Sequence, residues 1–191
     1  MSQIENSANI AVLGIGNILF RDEGLGIYAT QFLKDNYVFS PSIDLIDGGT
    51  LGMNLIHYYQ SYDHLLLLDT ISVDENDEPG TVYSLPADVL QGMGNYRKTA
   101  HEVEVLQTLE LGALVGDMAE IQVIAMVPED MESVSISLTD TVRQALPLLI
   151  DTVIEQLEAL GVKVEPQPQP KVRSLDQIVD EYDRPQAQSF A

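Results

Sequence analysis

The chain has 191 residues, 45% of them hydrophobic, enough for one domain that buries about 70% of its extended surface. Asp plus Glu number 30 against 9 Lys plus Arg, a formal net charge of -21; so acidic a surface repels phosphate backbones and anionic lipid, so no nucleic acid and no membrane surface is expected as partner. There is no Cys, which excludes disulfides, thiolate metal sites, iron–sulfur clusters and cysteine nucleophiles.

The opening residues Met1–Asn6 carry neither a basic start nor an apolar core. No run of about 18 apolar residues follows, so neither a secretory signal nor a membrane span is expected, and the cytoplasm is the expected location. Asn9–Leu13 reads as a buried strand ending at Gly14-Ile15-Gly16-Asn17. Leu25, Tyr28, Ala29, Phe32 and Leu33 have the spacing of one helical face, which predicts a helix over Gly24–Asn36. Ile43–Ile46 is a second strand, closed by Asp47-Gly48-Gly49-Thr50, and Met53–Tyr59 a short helix. Leu65–Leu68 is apolar without alternation, as a strand of a parallel sheet covered on both faces would be, and it ends in Asp69.

After an acidic loop, Thr81–Leu85 alternates as a strand near an edge would. Gln91–Thr99 reads as loop. Thr99 and Glu102 have capping-box spacing, opening a helix to about Leu114. Ile121–Val127 is a further strand. Thr139–Leu160 carries the longest helical stripe, with Gly161 as its stop and Pro147 expected to kink or split it. The alternation of strands and helices predicts an α/β fold: a single domain with a twisted, mainly parallel sheet and helices on both faces. From Glu165 the Pro-Gln run favours extended polyproline geometry, so the domain is expected over 1–164 and a flexible, disordered tail over 165–191. Leu175, Ile178, Val179 and Tyr182 also fit a short amphipathic helix; the tail reading is preferred.

Gly14–Leu19 sits where a dinucleotide fingerprint would, but Leu19 replaces the third Gly and Asp22 and Glu23 would repel a pyrophosphate, so turn chemistry is preferred. Asp22, Glu23, Asp47 and Asp69 all follow strands. In a 2-1-3 strand order these ends converge, and the repulsion between carboxylates calls for a cation, a proton or a base. Of three His, His57 is expected on a helix surface, His64 to satisfy a backbone carbonyl, and His101 in the first turn of the Thr99 helix, where the dipole keeps imidazole neutral. Glu23, Asp69 and His101 together make a three-ligand N/O set with an open position, suited to nickel, zinc or a similar divalent ion. No HExxH and no Gly-x-Ser-x-Gly elbow occurs.

Gly14–Gly26 (GIGNILFRDEGLG), Asp47–Gly52 (DGGTLG), Leu65–Asp69 (LLLLD) and Thr99–Glu102 (TAHE) resemble, in order and spacing, the signatures of the nickel–iron hydrogenase maturation endopeptidases over roughly residues 9–160. The resemblance implies an α/β sandwich and an enzyme that cuts a C-terminal extension from a hydrogenase large-subunit precursor after nickel insertion. It implies that Glu23, Asp69 and His101 contact nickel held by the precursor, with another divalent metal able to substitute in vitro. Asp47 would lie beside the scissile segment, and three roles stay open for it: general base, substrate orientation, or holding the turn. The alternative from another class is a non-enzymatic nickel-sensing chaperone, which would bind the precursor without cutting it.

Overall fold

The computed structural model describes residues 8–50, 55–71, 76–92, 107–108, 110–111, 118–168 and 172–183. Strand β1 (Ile10–Ile15) is buried at every position. A 3-10 turn (Arg21–Gly24) leads into α1 (Leu25–Asn36), and β2 (Tyr37–Ser40) follows at once. Then come β3 (Asp44–Gly49), α2 (Leu55–Tyr59) and β4 (His64–Thr70). Strand β5 (Val82–Pro86) runs into α3 (Ala87–Gly92), which takes in Gln91 and Gly92 from the expected loop. Residues 107–108 and 110–111 are helical, within the helix expected to run to Leu114; the capping box expected to open it lies outside the described residues. Strand β6 (Glu120–Met126), α4 (Asp140–Ala159), β7 (Lys163–Pro166) and α5 (Leu175–Asp183) complete the order.

The main sheet has the order β3-β1-β4-β6-β5. Its first four strands are parallel and β5 is an antiparallel edge. The first predicted strand thus lies between the second and third, as the 2-1-3 order requires. Helices α1, α4 and α5 cover one face, over Val12, Leu66, Leu68 and Ile124. On the other, Leu55 and Tyr59 of α2 pack with Leu13, Leu65, Leu67 and Val123. A Cβ at Gly26 would collide with the carbonyl oxygens of Leu68 and Ile15, so only glycine lets α1 begin this close to the ends of β1 and β4. Among the described residues no helix is long and apolar enough to cross a membrane.

Helix α4 is one continuous element. Thr139 caps it, its hydroxyl accepting from Val142 N at 3.3 Å. Pro147 does not split it, because the proline faces solvent and water can take up the carbonyl four residues back.

At 165–168 and 172–183, the described part of the expected tail 165–191, the chain is ordered and differs from the flexible tail expected. Strand β7 pairs antiparallel with β2, Ser40 opposite Lys163 and Tyr37 opposite Pro166, so the expected polyproline run begins inside a ribbon. Asn36 then clamps the chain on both sides: its side chain accepts from Arg173 N at 2.7 Å and donates to the Arg173 carbonyl at 2.9 Å. The Arg173 guanidinium also meets Asp35 at 2.9 Å. Helix α5 lays Ile178 and Val179 into the core over α1, and Tyr182 packs edge-on against Tyr28 with ring centroids 5.5 Å apart. The unfavoured reading of the Leu175–Tyr182 stripe, a docked amphipathic helix, is the one observed; burial of Ile178 and Val179, with Leu175 and Tyr182 packed beside them, contributes to offsetting the entropy of ordering nine residues. Ile178→Val is expected to cost about 1 kcal/mol in urea denaturation. A variant as stable as the parent chain would mean that α5 contributes nothing to the core.

Candidate active site

Gly14 of β1 pairs with Asp47 on one side and Leu68 on the other, so Asp47 and Asp69 lie near the C-terminal ends of strands that flank the same central strand. The two strands are roughly 10 Å apart. The β1–β3 register slips between Gly14 and Ile15, which pairs with Gly49 instead of Gly48. The irregularity falls in Asp47-Gly48-Gly49, which belongs to β3 and carries the strand past its expected end at Ile46. Asp47 is exposed, and its carboxylate accepts from Gly49 N at 3.0 Å.

The two-residue period of a strand sends these carboxylates to different faces. Leu45 packs on the α1 face and Ile46 on the α2 face, so Asp47 shares the α1 face. Leu66 and Leu68 pack on the α1 face, Leu65 and Leu67 on the α2 face, so Asp69 belongs with α2. Asp69 is 6% exposed and accepts from Thr70 N at 2.8 Å. The buried Tyr59 hydroxyl of α2 is held well above the usual phenol value, first by burial and then by the Asp69 charge. The strand ends converge as expected, but Asp47 and Asp69 reach the edge from opposite sides of the sheet.

The loop after β1 separates two adjacent carboxylates. Gly16 adopts φ 140°, and a Cβ there would strike the Glu23 carbonyl, which accepts from Asn17 N at 3.1 Å. Arg21 takes a left-handed φ of 50°, a strained conformation for a side-chain-bearing residue. It is held by Arg21 N to the Ser135 carbonyl at 3.1 Å and by the Arg21–Asp130 ion pair at 2.9 Å. Asp22 is fully buried and accepts from the backbone N–H groups of Glu129, Asp130 and Thr139 and from the Thr139 hydroxyl. It caps the 129–139 segment and is not available as a member of an open acidic cluster. Glu23, next in sequence, is half-buried in the 3-10 turn, which packs against β4. Burial raises its carboxyl above the usual value, and among the described residues no donor reaches that carboxylate.

His101 lies outside the described residues, as do Thr99 and Glu102. Among the described residues no three His, Asp and Glu form a ready metal cluster. His57 is exposed, as expected. His64 stands 3.3 Å from the Glu120 carboxylate across the β4–β6 pair instead of meeting a carbonyl.

Beside Asp47 opens a groove of about 390 Å³, walled by the turn Gly16–Leu19, Ile27, Gly49, Thr50 and Tyr182 of α5. Burial, then the Asp47 charge, push the Tyr182 hydroxyl up to about 12. The sequence reading did not place Tyr182 at the site. Its helical spacing from Leu175 was visible, but not that the helix returns to the end of β3. A carboxylate at the rim of an open groove suits a peptide substrate, and a half-buried carboxylate with no donor among the described residues suits a cation brought from outside.

A family model described as hydrogenase maturation protease matches residues 27–156, taking in Asp47, Asp69 and His101 and stopping before α5. A hydrogenase expression/formation protein HupD from Rhizobium leguminosarum bv. viciae is 32% identical over 181 residues, 92% of this chain and 89% of that protein. The hydrogenase 2 maturation protease of Escherichia coli K12 is 29% identical over 82% of this chain and 95% of its own length. Among solved structures, the hydrogenase maturating endopeptidase HybD from E. coli superposes with a TM-score of 0.75 at 29% identity, over 83% of this chain and 98% of that one. A matching fold, a family model spanning more than half of the chain and a near full-length relative together place the chain in the hydrogenase maturation protease family, as a hydrolase of peptide bonds.

Proposed function

We propose that the chain removes the C-terminal extension of a nickel–iron hydrogenase large-subunit precursor once nickel has been inserted, and that the precursor's nickel is what it recognises. Glu23, Asp69 and His101 would engage the metal, which arrives as part of the substrate. Another divalent ion would bind the same trio only weakly in isolation, since no thiolate is available. The observation that carries this reading is Glu23: a carboxylate partly removed from water, with no hydrogen-bond donor among the described residues, beside the strand that ends in buried Asp69. A desolvated anion of this kind is stabilised by an incoming cation. Family membership supports a hydrogenase precursor as the protein that brings it.

Docking the metal on one side of the edge fixes the nearby peptide, and fixed orientation supplies a large part of a hydrolytic rate. Asp47, exposed on the opposite face at the groove's rim, would accept a proton from an attacking water or hold the peptide by hydrogen bonding. The test is mass spectrometry of nickel-loaded and nickel-free precursor after incubation with the protein. Loss of one defined C-terminal peptide from the loaded sample alone is the expected result. Equal cleavage of both would remove the metal gate, and binding without cleavage of either would favour the chaperone alternative.

A further inference from the structure

We propose that the C-terminal helix α5 completes the peptide site: Tyr182, which lines the groove beside Asp47 together with Leu19, forms an apolar subsite that selects a hydrophobic side chain of the precursor segment flanking the cleaved bond. This rests on the reading above that the substrate is a precursor polypeptide. Four of the groove's backbone donors are already engaged within the protein. Gly16 N donates to the Gly49 carbonyl, Asn17 N to the Glu23 carbonyl, Leu19 N to the Asn17 side chain and Gly49 N to Asp47. The Leu19 carbonyl accepts from Ser135 N. A peptide lying here therefore finds few main-chain partners and gains its affinity by burying apolar surface.

The walls offer that surface. Leu19 is 50% exposed at the rim, and Ile18, Ile27 and the Tyr182 ring line the interior. The wall is also preorganised. Tyr182 stands edge-on to Tyr28 at an interplanar angle of 83°, and Ile178 and Val179, one turn earlier, are anchored in the core. A fixed aromatic ring loses little entropy when a ligand side chain packs on it. Leu19 is held as firmly, because the turn that carries it is bonded to Ser135 and locked by the Arg21–Asp130 pair.

The experiment uses the full chain and a nickel-loaded precursor. Leu19→Asp is expected to raise KM about tenfold with kcat changed less than about twofold. Its melting temperature should match the parent chain, since Leu19 is exposed. Tyr182→Ala is expected to raise KM similarly and to flatten the preference for precursors with a hydrophobic residue next to the cleaved bond over those with Ser there. Tyr182→Phe, which keeps the ring, should retain that preference, whereas a purely structural role for the ring would leave the preference unmoved in Tyr182→Ala as well. A photo-crosslinking residue at position 19 should capture the precursor's C-terminal segment, mapped by mass spectrometry. Unchanged KM and unchanged preference in both disruptive variants would overturn the subsite and leave the proposed reaction standing. If the parent chain cuts no precursor, the proposed reaction falls; a crosslink from position 19 to that segment would still support the groove as a peptide site, and its absence would overturn that as well.

Discussion

Glu23→Gln is expected to lower processing of nickel-loaded precursor by roughly 100-fold or more while leaving the fold at least as stable as before. Gln keeps the shape and length of the side chain but gives up the negative charge, and a neutral amide is a far poorer ligand for a divalent ion. The stability half of the expectation follows from the carboxyl's environment. Burial raises the Glu23 pKa above its usual value of 4.5, so the native state holds this proton to higher pH than the unfolded chain does. Stability therefore falls as pH rises through the window from the unfolded value to the raised native one. Above that window the parent chain carries a partly desolvated charge that Gln lacks; below it the two chains carry the same neutral group. Melting temperatures taken near neutral pH and again below the usual carboxylate value would show the variant equal or higher at the first and unchanged at the second. A variant that melts early at neutral pH would assign Glu23 to the scaffold instead of to the site. Such an opposition of stability and function is what a group held ready for a ligand displays.

Asp22→Ala should do the reverse and strike the fold first. The Asp22 carboxylate is fully buried and accepts from Thr139 N at 2.7 Å, the Thr139 hydroxyl at 2.9 Å, and Glu129 N and Asp130 N at 3.0 Å each. Alanine leaves these donors without an acceptor, at an expected cost of about 3–5 kcal/mol. That is a large share of the 5–15 kcal/mol that holds a typical domain together. Asp22→Asn keeps one oxygen and should lose less, because only the donor facing the new NH2 group is stranded. Chemical denaturation of both variants would rank them; an alanine variant within 1 kcal/mol of the parent would mean that water replaces the carboxylate. Processing should fail in the alanine variant as well, since the same bonds hold the Arg21–Gly24 turn against the 129–139 segment.

These two neighbours mark where the sequence stops being legible. Both are acidic residues after the first strand, and nothing in their spacing tells a cap from a ligand. Only the course of the 129–139 segment, which returns over a hundred residues later, decides it. The sheet was readable because β1 and β4 are buried apolar runs that end at a turn or an acid, and the order of β3, β1 and β4 is the common one of doubly wound sheets. Strands β2 and β7 have four residues each and alternate weakly, so neither announces itself without the other. The stripe of α5 was visible, but its composition is polar and proline-flanked, and its stability comes from packing into the core over α1, a contact that is assembled only in three dimensions. The opposite orientation of Asp47 and Asp69 follows from strand parity, once the exact strand bounds are known.

The ribbon of β2 and β7 closes a very long stretch of chain, from Ser40 round to Lys163. The entropy of such a closure grows only with the logarithm of the length enclosed, about 0.6 kcal/mol for each doubling. Residues added between β4 and β5 would therefore scarcely loosen the clasp. The short link from α4 to β7 has no such tolerance: Gly161 turns at φ 85°, and Val162 N already reaches back to the Leu157 carbonyl at 3.0 Å. Changes in chain length can accumulate in the middle of this molecule, but one residue gained or lost at Gly161 would shift the register of the clasp and, with it, the helix that walls the groove.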